Sequence, residues 1–176
     1  LDEFGVAYIE GGWPGSNPRD IEFFKAMRAR KLSSSTLVSF GSTRRAGVKA
    51  KDDANLKALL DSRSPAITVF GKSWKLHVVK ALRVSMNENL GMIFDSVSYL
   101  KKRTGEVFYD AEHFFDGYKD DPEYALKTLR AAFDAGADYI VLCDTNGGTL
   151  PFEVVDIMEA VKRGGAGLLG IHAHND

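Results

Sequence analysis

Cysteine is nearly absent. Cys143 is the only one, so no internal disulfide can staple the chain. A lone thiol fits a reducing compartment, and a cytoplasmic location is expected. No apolar run approaches the roughly 18 residues of a membrane span, so no membrane partner is expected. An excess of one charge sign is also missing: 23 Lys and Arg stand against 24 Asp and Glu, for a net charge of −1. That balance gives no support to a nucleic-acid-binding surface. Leu1 to Gly5 carry neither the basic start nor the apolar core of a signal peptide. No linker or low-complexity segment is visible. What remains is the composition of a globular protein, 44% hydrophobic and 27% charged. Its 176 residues are ample for one buried core and favour a single domain.

Short apolar runs alternate with longer amphipathic stretches. The runs are Val6–Glu10, Thr36–Phe40, Ala66–Phe70, Glu106–Asp110, Asp138–Cys143 and Leu168–His172. Most start about 30 residues apart, the length of one βα unit. The longer gap, Ser73 to Thr104, leaves room for a short helix before the helical run Asn87–Lys102. Asn17-Pro18 and Asp121-Pro122 each join a capping side chain to a first-turn proline. Pro151 opens another helix, with Val154, Val155, Ile157, Met158 and Val161 expected inward. Strict alternation predicts a parallel sheet with helices outside and right-handed crossovers. Gly11-Gly12-Trp13-Pro14-Gly15 lacks the G-x-G-x-x-G spacing of a dinucleotide-binding open sheet. Nearly every run also ends in polar, functional groups. That pattern predicts a (β/α)8 barrel, whose active sites gather at the C-terminal strand ends.

Three of those ends carry the strongest chemistry. In Gly170-Ile171-His172-Ala173-His174-Asn175-Asp176, the two histidines lie two residues apart, on one face of a strand. Two neutral imidazoles so placed can hold one divalent cation. Asp110 and Glu112 likewise share a face, where paired carboxylates can orient water or act as acid and base. Thr145 shares its face with Cys143 and Val141, so its hydroxyl can point inward toward a ligand carboxylate. The following Gly147-Gly148 pair lets the backbone approach. The bland alternatives are a polar strand end, an acidic loop start and a plain turn. Cys143 reads as a small packed residue, because no basic partner is signalled beside it. Glu10 either lines the cavity or bonds loop amides. Arg44, in Ser42-Thr43-Arg44-Arg45, is a candidate for holding a substrate carboxylate or a CoA phosphate. Lys72 as a Schiff-base lysine is the weaker reading, since the histidine pair already offers carbonyl activation.

These strings together resemble a known family. The His172-Ala173-His174-Asn175-Asp176 string is similar to the His-x-His-Asn-Asp signature of the isopropylmalate, homocitrate and citramalate synthases and of hydroxymethylglutaryl-CoA lyase. Tyr8 to Pro18, with Gly12-Trp13-Pro14-Gly15-Ser16-Asn17-Pro18, is most like the citramalate synthase branch. So are Phe40–Gly47, Phe70–Trp74, Tyr109–Tyr118 and Leu142–Pro151. The likeness covers essentially the whole chain.

The resemblance implies a metal-dependent acyltransferase that joins acetyl-CoA, its co-substrate, to a 2-oxo acid, pyruvate for this branch. A divalent ion (Mg, Mn or Zn) would bind His172, His174 and an aspartate on the family's first strand. Thr145 would meet the oxo-acid carboxylate, and Glu112 would sit near the reacting carbons. Numbered by the family, the chain supplies strands two to seven. The first strand with its Arg-Asp pair, the last strand and the C-terminal regulatory region are expected outside it. Residues 1–176 are therefore expected to form a partial catalytic domain, inactive alone, of a homodimeric parent. A lyase running the reaction in reverse, a zinc hydrolase barrel and a non-catalytic module are the rival expectations.

Overall fold

The computed structural model describes residues 1–165 and 167–174. Six strands form one sheet in the order β1-β2-β3-β4-β5-β6, every neighbouring pair parallel. They are β1 (Tyr8–Glu10), β2 (Thr36–Ser42), β3 (Ala66–Lys72), β4 (Glu106–Glu112), β5 (Tyr139–Asp144) and β6 (Leu168–Ala173). The connections carry α1 (Pro18–Met27), α2 (Ala54–Asp61), the short α3 (Lys75–His77) and α4 (Met86–Lys101). Farther along lie α5 (Phe114–Asp120), α6 (Pro122–Asp134) and α7 (Pro151–Arg163). A π-helical turn, Val78–Leu82, runs on from α3. The sheet curls into an incomplete α/β barrel, with β1 and β6 each paired on one side. Among the described residues no helix is long and apolar enough to cross a membrane.

The helix starts follow their local chemistry. Asn17 Oδ1 accepts from the Arg19 N–H at 2.9 Å, and Asp121 Oδ1 from the Tyr124 N–H at 3.0 Å. Ser85 Oγ does the same for Glu88 at the start of α4. Each bond satisfies a donor that the first helical turn leaves without an internal partner.

Strand alternation divides the sheet into two faces. Ile67, Val69, Val107, Tyr109, Ile140 and Leu142 face outward and are buried beneath helices. They meet Leu56 and Leu59 of α2, Ile93 and Val97 of α4, and Leu129 of α6. This outer layer is the main core. The inner face is plugged at its lower end by Tyr8, Phe108 and Tyr139. Phe108 stacks on Tyr139 at 4.6 Å and meets Tyr8 edge-on at 4.8 Å.

Several expectations change in detail. β2, β3 and β4 each extend two residues beyond their apolar runs; in β3 and β4, Gly71-Lys72 pairs with Ala111-Glu112. The extension makes Lys72 and Glu112 strand residues held in register rather than loop residues. On α7, Ile157 and Val161 are buried, but Val155 is 55% exposed. At 100° per residue it falls outside the stripe that α7 presents to the sheet.

Candidate functional site

The inner face opens at the strand ends onto a cavity of 390 Å³. Glu10, Asp110 and His172 line it, above Tyr8 and Phe108. β1, β4 and β6 bring these three side chains together because residues of one parity on parallel strands share a face.

Asp110 is only 8% exposed. Its carboxylate makes no hydrogen bond or ion pair among the described residues. Burial, then the nearby charges of Glu10 and Glu112, push its pKa from the usual carboxylate range up to about 7. A buried carboxylate facing two others is an unfavourable arrangement that a bound cation would relieve. The donor chemistry agrees. His172 and His174 stack with ring centroids 4.9 Å apart and planes within 17°. Potential ligand atoms of Asp110, Cys143 and His172 lie within 4.8 Å of one another. These residues fit a divalent metal ion. The rest of the quoted motif, Asn175 and Asp176, lies outside the described residues.

Cys143 thus enters the site in a way that sequence reasoning missed. It is buried, and its thiol lies 3.8 Å from the Val141 carbonyl. Burial, then the charges of Asp110, Glu112 and Glu10, push the thiol well up, so it is no poised nucleophile. Its register partner across the ladder is His172. That pairing was the signal available, but it needs the alignment of two strands distant in sequence.

Glu112 stands one step nearer the rim than Asp110. Its carboxylate forms an ion pair with Lys72, its register partner on β3. The Lys72 ammonium also lies 5.5 Å from the Phe70 ring centre. Thr145 follows the end of β5, and its Oγ1 accepts from the His113 N–H at 2.9 Å. With that lone pair engaged, the hydroxyl hydrogen is left for an acceptor elsewhere. His113 adopts a left-handed backbone (φ 53°) just after Glu112, which turns its N–H toward Thr145. A second tie joins the same loops, Asn146 Nδ2 to Asp116 Oδ2 at 2.9 Å. Glu112 and Thr145 are therefore linked through one intervening residue, although neither lines the 390 Å³ cavity.

Arg44 is placed otherwise than expected. Its side chain is 7% exposed and pairs with Glu88 at 2.8 Å and Asp95 at 2.9 Å, both on α4. Those carboxylates engage the guanidinium's donors, so Arg44 braces the β2 loop against α4 instead of presenting an anion site. Arg45 beside it is exposed.

An aromatic wall was also missed. Phe40 and Phe70 stack at 5.4 Å, and Trp13 meets them edge-on at 6.1 and 5.4 Å. Trp13 Nε1 is anchored to Asn55 Oδ1 at 2.6 Å. Phe70 is the register partner of Asp110, which puts the wall beside the carboxylates. Even spacing on the strands hinted at inward rings, but the sequence does not say that they touch.

The chain matches the HMGL-like family over residues 1–176. It is 60% identical to an (R)-citramalate synthase of Geobacter sulfurreducens, over 100% of this chain and 33% of that protein. Against the (R)-citramalate synthase of Aquifex aeolicus identity is 52%, over 100% and 34%. A 2-isopropylmalate synthase of Sulfolobus acidocaldarius is 30% identical, over 100% and 43%. The crystal structure of a Bacillus subtilis HMG-CoA lyase superposes with a TM-score of 0.76 at 20% identity, over 97% of this chain and 57% of that one. That last likeness concerns the fold alone. The chain spans about a third of the length of the citramalate synthases it matches.

Proposed function

This chain belongs to the HMGL-like family, and we propose that the protein carrying it joins acetyl-CoA to a small 2-oxo acid, pyruvate, after which water cleaves the resulting thioester to give citramalate and free CoA. The observation that carries the reading is the identity gap: 60% to a citramalate synthase against 30% to a 2-isopropylmalate synthase. The aromatic wall supports it physically. Trp13, Phe40 and Phe70 pack together with Phe70 across the ladder from Asp110, where they would oppose the branched side chain of a larger oxo acid. Discrimination by such a wall is worth roughly 1–3 kcal/mol per methylene.

His172 and His174 would hold a divalent ion, with Asp110 and Glu10 contributing negative charge around it. Such an ion supplies Lewis-acid polarisation of the ketone. Thr145 donates its hydroxyl hydrogen to the oxo-acid carboxylate, positioned by the His113 N–H. Lys72 holds one oxygen of Glu112, leaving the other to take a proton from the acetyl methyl group. The rings of Trp13, Phe40 and Phe70 would shield this side of the cleft.

The test is thiol release from acetyl-CoA by the full protein with four acceptors: pyruvate, 2-oxobutyrate, 2-oxoisovalerate and 2-oxoglutarate. Pyruvate should give the highest kcat/KM. A preference for 2-oxoisovalerate or 2-oxoglutarate would move the protein to the isopropylmalate or homocitrate reaction. Cleavage of a hydroxyacyl-CoA without any condensation would make it a lyase.

A further inference from the structure

The structure assigns a second set of metal donors to the same cavity: we infer that Asp110, Cys143 and His172 form a site for a borderline-soft divalent cation of the zinc or cadmium class. The inference rests on the reading above in one respect, that His172 faces the cavity as a ligand. It goes further in giving a thiol and a second-position carboxylate the ligand role, without His174.

Three observations carry it. Cys143 and His172 are register partners on adjacent strands, so their side chains rise from one row of the inner face. Asp110 is the register partner of Val141, two residues before Cys143 and on the same face. One donor atom from each lies within 4.8 Å of the others. Independently, Asp110 is more than nine-tenths buried, lines the cavity and makes no side-chain hydrogen bond or ion pair among the described residues.

The geometry needs only a small adjustment. Ligand bonds of about 2.0–2.3 Å place tetrahedral donors roughly 3.5 Å apart. His172 is exposed, so its ring is free to close the remaining gap. When the sulfur–metal bond forms, the thiol proton passes to solvent, and the long contact to the Val141 carbonyl is given up. Ligand softness sets the selectivity. Mg²⁺ prefers six oxygen ligands and gains nothing from a thiolate, whereas Zn²⁺ and Cd²⁺ do. Because His172 belongs to both sets, a soft ion held by Cys143 would compete with the ion held by the histidine pair.

Co²⁺ is the probe, since thiolate ligation produces a sulfur-to-cobalt charge-transfer band in the near ultraviolet. The full wild-type protein should develop that band on titration, and His174→Ala should keep it. Cys143→Ser should lose it and bind Zn²⁺ at least tenfold more weakly by equilibrium dialysis. X-ray absorption of the wild-type zinc form should show one sulfur at about 2.3 Å. This reading does not depend on any variant folding. Wild-type protein that binds Co²⁺ without the band, through binding that His174→Ala abolishes, would overturn this inference and leave the histidine-pair reading intact. Wild-type protein that binds no Co²⁺ would overturn both.

Discussion

At the ends of β3 and β4 the charges are closed on one another: Lys72 on Glu112, and nearby Arg44 on Glu88 and Asp95. Across the cavity, between β4 and β6, Asp110 has no such partner among the described residues. The rings of His172 on β6 and His174 just after it are exposed, stacked on each other rather than packed in the core. The first region is set by the protein's own ion pairs and is ready before any ligand arrives. The second holds a buried carboxylate that a bound cation would stabilise. On the proposed function, a site built this way would keep Glu112 fixed while metal affinity is set on the other side.

The comparison breaks most visibly at β6. In the full protein, His174→Ala should reduce metal-dependent turnover by several orders of magnitude while leaving the thermal unfolding of the metal-free protein almost unchanged. The first follows from loss of a ligand, the second from the exposure of the side chain. Metal titration with parallel differential scanning calorimetry checks both. A large fall in Tm would show that β6 is as structural as β3. On the closed side, Glu112→Gln keeps the shape but cannot take a proton, so kcat should fall about 10²- to 10⁴-fold. Metal affinity should stay within a few-fold, a split that steady-state kinetics and dialysis resolve.

The smallest effect sharpens the contrast without touching chemistry. Arg44→Ala should lower stability by about 1–2 kcal/mol, a modest figure because Glu88 and Asp95 are partly solvated. The hydrogen bond from Arg44, then that from the Gly47 N–H, holds the Glu88 carboxyl below its ordinary value of 4.5. A depressed folded-state pKa contributes stability that is fully present above that value. It is lost as the pH falls through the folded one. The gap between wild type and Arg44→Ala in urea unfolding should therefore be widest above pH 4.5 and shrink on acidification. A gap that widens toward low pH would mean that Arg44 acts through packing.

The alternation of strands and helices, the capped helix starts and the histidine pair were legible in the residues, because each rests on short-range patterns. Two-residue spacing puts His172 and His174 on one face whatever surrounds them. Asn17-Pro18 and Asp121-Pro122 carry their own capping chemistry. Val155 was misplaced because several apolar residues competed for one helical stripe, and only contact with the sheet selects among them. Arg44 read as an anion site for a similar reason: its partners lie 44 and 51 residues away.

The sequence by itself determined an alternating βα chain with inward histidines, carboxylates and a threonine at its strand ends. Periodicity, turn residues and caps act over a few positions and need no partner. Only the tertiary structure decided which groups meet. The registers Lys72↔Glu112, Phe70↔Asp110 and Cys143↔His172 join segments about 30 to 40 residues apart. Register between parallel strands is fixed by how helices of the outer layer seat on the sheet. That seating left Glu112 paired, Arg44 bracing and Asp110 buried toward the cavity beside Cys143.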